Sequence, residues 1–204
     1  MSAEKLLKDM HQTKGARFAA HHRLTRMHEM GGYTISIISF FVICISVYLV
    51  MFQAEYSPLY GKYLTFISVA ISVLIIILSL QDGSKNYLLR AEMMHNCARE
   101  VLATYRELSN IKEPSDQDVQ EYSRRYQSII DRYPYNHESI DRKVYLYGKY
   151  LKNKKSDASI EPVTSPAKEL WWSIYGMNVI YILSPTVLSF APVVFYYLPK
   201  LAIC

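Results

Sequence analysis

Two uncharged apolar runs dominate the pattern of polar and hydrophobic positions. The first extends from Gly31 to Ala54 and the second from Tyr63 to Gln81. Between them lies a short polar break with Glu55, Pro58, Gly61 and Lys62. As helices, both runs are long enough to cross a bilayer, because about 20 residues at ~1.5 Å rise span a ~30 Å hydrocarbon core. So short a break forces an antiparallel turn. Soluble helix pairs rarely run this far without Asp, Glu, Lys or Arg, so the pattern predicts a transmembrane hairpin over residues 31–81.

The flanking segments read as helices of another kind. Residues 1–30 form a basic helix with Ala16, Ala20, Leu24 and Met27 on one face. Beyond Gln81 the helical pattern continues without the apolarity. Tyr87, Ala91, Met94, Ala98, Val101, Tyr105 and Leu108 alternate by four and three, which is the narrow seam of a coiled coil. That seam suits self-association, as an oligomer seam, or packing against the N-terminal helix. Gly83 is the weak point where the second span, running on as one rod, would bend. Asn110 to Pro114 breaks the pattern. Ser115 and Asp118 then form a capping box ahead of Val119, Tyr122, Tyr126, Ile129 and Tyr133, and Pro134 stops that helix. A tyrosine-rich helix follows over Ser139 to Leu151, closing a helical region at 82–152. A polar linker occupies 153–169.

A third apolar run, residues 170–199, is uncharged throughout. Trp171 and Trp172 stand at its start and Tyr196 and Tyr197 near its end, as membrane-interface aromatics do. Pro185 and Pro192 predict kinks that neighbouring helices must accommodate. The reading is therefore an all-α membrane protein: a transmembrane hairpin, helical cytosolic extensions and a third C-terminal transmembrane helix.

Charge sets the orientation. Six Lys and Arg precede the first span, one lies in the hairpin loop, fifteen lie between the second and third spans, and one follows the third. The positive-inside rule places the N-terminus and the central helical region in the cytoplasm, and the hairpin loop and C-terminus outside. The net charge of +5 follows from that asymmetry and implies no direct nucleic-acid binding. Thirty polar residues before an overlong apolar run argue against a signal peptide. Cys44, Cys97 and Cys204 show no pairing or metal spacing and read as thiols of a reducing compartment.

Candidate chemistry is sparse. His11, His21, His22 and His28 lack the i, i+4 spacing and companion ligands of a metal site. There is no phosphate loop and no nucleophile motif. His137, Glu138 and Asp141 read as a helix cap and a salt bridge. No catalytic residue, metal or cofactor is expected, and an enzyme is the least supported class. What the spans do carry is hydroxyls. Ser36, Ser39 and Ser46 share one stripe of the first span, with Ile43 between them. Thr65, Ser68, Ser72 and Ser79 share one stripe of the second, with Ile75 in the gap. Such residues either pack helices closely or wet a pore wall. Both readings stand at this level.

Three segments carry a resemblance: RFAAHHRLTRMH before the first span, NYLLRAEMMHNCAREVLATYREL after the second, and YPYNHESIDR beyond. With Arg90, Ala91 and Cys97 in the exit helix, the order of parts from Leu6 to Leu151 resembles the SLATT family of two-transmembrane effectors of bacterial conflict systems. The extra C-terminal span departs from the two-span pattern and is similar to the subgroup found beside reverse transcriptases. The resemblance implies an antiphage effector that oligomerises and permeabilises the bacterial inner membrane. Its trigger would be a cytosolic sensor, such as a reverse transcriptase or nucleotidyltransferase system. The competing function is a constitutive membrane anchor or scaffold for a cytosolic partner. A transporter is disfavoured, because no ionisable relay group lies within the spans.

Overall fold

A computed structural model describes residues 2–52, 58–154, 164–176, 178–180 and 182–183. Every regular element among the described residues is helical. The chain divides into two compact units: Met1–Met27 with Tyr87–Ser173, and His28–Asn86 with Ile174–Cys204.

The hairpin unit is built from the second half of α1 (Ala3–Met51) and from α2 (Pro58–Lys85). Pro58 opens α2, where its missing N–H costs nothing and its fixed φ suits a helix. The two helices meet along an apolar seam of Ile38, Ile67, Ile71 and Leu78, flanked by Phe41, Val42 and Leu74. Their outer faces are as apolar as the seam. Phe40 is 68% exposed, Phe66 70% and Leu80 71%. In water that much uncovered apolar surface would drive association, whereas lipid tails solvate it. Both α1 and the α2 stretch are long and apolar enough to cross a membrane.

The expected weak point at Gly83 does not interrupt the helix. Helix α2 passes through Gly83 and ends at Lys85, and α3 (Tyr87–Ser109) begins two residues later. The break is Asn86, with φ of 48°. Asn tolerates the left-handed region better than most residues, because its short side chain can bond locally. Here its Nδ2 donates to the Ser84 carbonyl at 3.4 Å. Gly83 lowered helix propensity, but propensity alone does not break a helix that membrane burial and the backbone ladder hold together.

In the polar unit, α3 lies against the first half of α1. Ala91 and Met94 pack on Ala20 and Leu24. Cys97, Val101 and Leu108 pack on Leu6 and Met10. The seam residues Ala91, Met94, Ala98, Val101 and Leu108 are 0–1% exposed within one chain, while Tyr87 and Tyr105 are half-buried at its edge. Of the two uses open to this seam, packing against the N-terminal helix is the one observed. Within one chain the apolar face of the seam is covered by the N-terminal helix.

Helix α4 (Asp116–Arg132) begins at the Ser115 capping box. The Ser115 hydroxyl accepts from Asp118 N at 3.2 Å, and the Asp118 carboxylate accepts from Ser115 N at 2.9 Å. Val119 and Ile129 then complete the core begun by Leu6 and Met10. Glu100 of α3 ties α4 down, accepting from Tyr133 Oη at 2.6 Å and Arg132 Nη1 at 3.1 Å. Burial and this carboxylate together push the Tyr133 phenol up to about 12. Helix α5 (Ser139–Lys154) and the short α6 (Ala167–Trp171) follow, joined by Lys143–Glu169 at 2.8 Å. A single π-helical turn, Trp172–Gly176, continues the chain. Most of the third span expected over 170–199 lies outside the described residues.

Candidate functional site

The hydroxyl stripes occupy a definite place on the hairpin. On α1, Ser36 and Ser46 are exposed and Ser39 is half-buried. On α2, Thr65 and Ser79 are exposed, while Ser68 and Ser72 are half-buried. Six of the seven back-bond to the carbonyl four residues earlier. Ser36 donates to Gly32 at 2.9 Å, Ser39 to Ile35 at 2.8 Å and Ser46 to Val42 at 3.0 Å. Thr65 donates to Gly61 at 2.9 Å, Ser72 to Ser68 at 2.9 Å and Ser79 to Ile75 at 2.8 Å. Each hydroxyl hydrogen is therefore satisfied in lipid, while the oxygen keeps a free lone pair for water or a neighbouring helix.

Register places these residues to one side of the apolar seam between α1 and α2, with Ser39, Ser68 and Ser72 half-buried and the other four exposed. Helical periodicity puts the α1 hydroxyls about 120° around from Ile38 and Ile45, and the α2 hydroxyls about 100° around from Ile67 and Ile71. Both offsets run in the direction of increasing residue number. In an antiparallel pair, offsets of the same sign fall on the same side. The two stripes therefore share one side of the hairpin. Gly32 and Gly83 extend that side, and a Cβ at either would meet no atom within 4 Å. The opposite side carries Tyr33, Ile37 and Tyr48 of α1 with Phe66, Val73 and Ile77 of α2, all exposed. The hairpin thus has one hydroxyl-bearing side and one aromatic and aliphatic side. Ile43, 60% exposed, sits among the hydroxyls of α1. Ile75 is half-buried beside those of α2.

The end of the hairpin near Asn86 adds chemistry that periodicity in the apolar runs did not reveal. Asp82 of α2 lies against Gly31 of α1 so closely that a Cβ there would stand 2.6 Å from its Oδ1. His28, one turn before Gly31, places Nδ1 4.0 Å from Asp82 Oδ2. Gly31 and Asp82 are 51 residues apart, and nothing local in the sequence pairs them.

The polar unit holds a buried ion pair instead of a catalytic set. Arg23 of α1 meets Asp141 of α5 through Nε–Oδ1 at 2.8 Å and Nη2–Oδ2 at 3.1 Å. Its Nη2 also reaches Glu138 Oε1 at 3.0 Å. Asp141 Oδ2 accepts from Glu138 N at 2.8 Å, so the carboxylate caps its own helix while pairing. Burial lowers the Arg23 pKa, but the bonds to Asp141 and the charges of Asp141 and Glu138 outweigh it and leave it raised. Arg17, also buried, donates from Nη1 to the Tyr135 carbonyl at 3.3 Å. These two arginines hold the segment around YPYNHESIDR to the N-terminal helix. His137 stays out of the ion pair; burial and the Arg17 charge lower its pKa.

His21 and His95 meet across α1 and α3 with ring centroids 4.8 Å apart and ring planes tilted by 48°. Burial, then the charges of His21, Arg99 and His22, lower the His95 pKa. Among the described residues no cluster of His, Cys, Asp or Glu is disposed to hold a metal ion. Cys97 is fully buried, and burial raises its thiol to about 11, so it is poorly suited to act as a nucleophile.

Comparison with known proteins bears on the whole arrangement. No curated protein and no solved structure gives a match. The sequence model of the SMODS and SLOG-associating 2TM effector domain, family 5, matches residues 1–191. Two long apolar helices with uncovered apolar faces agree with its two transmembrane segments. The chain therefore belongs to family 5 of the SMODS and SLOG-associating two-transmembrane effector domains, and is an all-α membrane protein.

Proposed function

We propose that this protein is an antiphage effector of the bacterial inner membrane whose copies assemble and permeabilise the bilayer when a cytosolic sensor engages the polar unit. The observation that carries the reading is the shared side of the two hydroxyl stripes. A hairpin that packed only on itself would place its small polar residues in its own seam, because close approach is what they favour. This hairpin packs chiefly through Ile and Leu and leaves Ser36, Ser46, Thr65 and Ser79 exposed. Several copies could turn that side inward around an axis and leave the aromatic and aliphatic side to lipid. Hydroxyls wet such a lining weakly, and Ile43 would favour dewetting and closure at rest. A sensor can open it only by binding the open arrangement more tightly than the closed one.

The excess of Lys and Arg before and after the hairpin supports a cytoplasmic N-terminus and polar unit. The sensor would be a nucleotidyltransferase or reverse transcriptase of the same defence system. The test is induced expression with membrane potential and growth followed together. Substituting Ser39→Leu and Ser72→Leu should abolish depolarisation and toxicity at unchanged protein level and insertion. Depolarisation as fast as that of the parent would make the stripes mere packing surfaces.

A further inference from the structure

We infer that Asp82 selects the permeating ion, making the conduit cation-preferring; this rests on the pore reading above. Among the described residues of the hairpin unit ionisable side chains are few, and their register separates them. Counting around each helix from the Ile and Leu seam, Glu29 and Lys62 fall about half a turn away, on the outer faces. Lys85 falls close to the seam, toward the aromatic side. Asp82 falls about 40° from the seam, at its hydroxyl-side edge and against Gly31, and His28 about 90°. Asp82 is thus the fixed charge at the end of the hydroxyl stripes nearest Asn86, and it is negative.

The position is built. Gly31 leaves the space that the carboxylate fills, since a Cβ there would approach Oδ1 to 2.6 Å. Asp82 keeps partial access to solvent at 23% exposure, and His28 flanks it at 4.0 Å. An assembly of several copies with the hydroxyl side inward repeats this carboxylate at one level. Rings of Asp or Glu at a pore mouth concentrate cations and repel anions, and a neutral hydroxyl lining beyond the ring does not reverse that preference. The permeant class is therefore small cations, with chloride disfavoured.

The experiment is the reversal potential of the purified full-length protein in planar bilayers under a potassium chloride gradient. The parent should reverse on the potassium side of zero. Asp82→Asn should retain conductance and move the reversal toward zero, while Asp82→Glu should keep the parental sign. Gly31→Leu, which displaces the carboxylate without removing it, should also shift the reversal toward zero. A parent that conducts without cation preference, or an Asp82→Asn protein with the parental reversal, overturns the role of Asp82 and leaves the pore reading standing. A parent inserted in the bilayer that conducts nothing overturns both.

Discussion

Arg23 and Asp141 stand 118 residues apart in sequence and form a two-point ion pair at 5% and 1% side-chain exposure. The pair joins the N-terminal helix to α5, where the Tyr145 ring also lies against Gly15 and His11. A charge pair this deep contributes little net stability, because desolvation offsets the attraction, but breaking it strands one charge. Arg23→Met should therefore destabilise the polar unit by about 3–5 kcal/mol. Arg23→Met combined with Asp141→Leu should recover much of that loss. Thermal unfolding in detergent micelles reads both, and a double variant no more stable than the single one would refute the account.

The seam of α3 gives a second expectation. Met94 is 1% exposed and packs against Ala20 and Leu24. Met94→Ala should cost about 2–5 kcal/mol through lost burial and the cavity left behind. Leu88, 56% exposed on the same helix, is the control, and Leu88→Ala should change folding stability by about 0.5 kcal/mol or less. Equal losses at the two positions would show that α3 does not pack on α1 along this face.

Asn86 joins α2 to α3 with φ of 48°. Asn86→Gly should be tolerated, since glycine adopts that backbone freely. Asn86→Val should cost about 1–2 kcal/mol or straighten the junction into a continuous helix. Unfolding midpoints for the two variants separate these outcomes from indifference. If valine is as stable as glycine and the helix content is unchanged, the left-handed residue is not what breaks the rod.

Acid should loosen the polar unit. The folded pKa values of His11, His95 and His137 all lie below 6.5, chiefly because burial disfavours the charged ring. The unfolded chain takes up protons first, near pH 6.5, so the stabilisation is present above that value and is lost as pH falls below it. Unfolding midpoints should drop between pH 7.5 and about 5.5, and His95→Gln should flatten that slope. A midpoint that rises on acidification would contradict the direction of these shifts.

Much of the architecture was legible in the amino-acid order, for physical reasons that act locally. An uncharged run long enough to span lipid needs no tertiary knowledge to be recognised, because bilayer thickness and helical rise decide it. The Ser115–Asp118 cap and the stop at Pro134 depend on neighbouring backbone groups alone. The stripes were equally visible, since 3.6 residues per turn place Ser36, Ser39 and Ser46 together. Which way a stripe faces is another matter. The hydroxyls of α1 and α2 share a side only because the helices are antiparallel and meet through Ile38, Ile67 and Ile71. The α3 seam could serve another copy or the same chain, and only the folded chain shows Met94 packed on Ala20 and Leu24. Bends follow the backbone dihedral that tertiary packing selects, so the break fell at Asn86 and not at the weaker helix former Gly83. The pairing of Arg23 with Asp141, and of Asp82 with the space above Gly31, had no local signal. Pairs distant in sequence are fixed by how whole helices dock, and only the folded chain determines that.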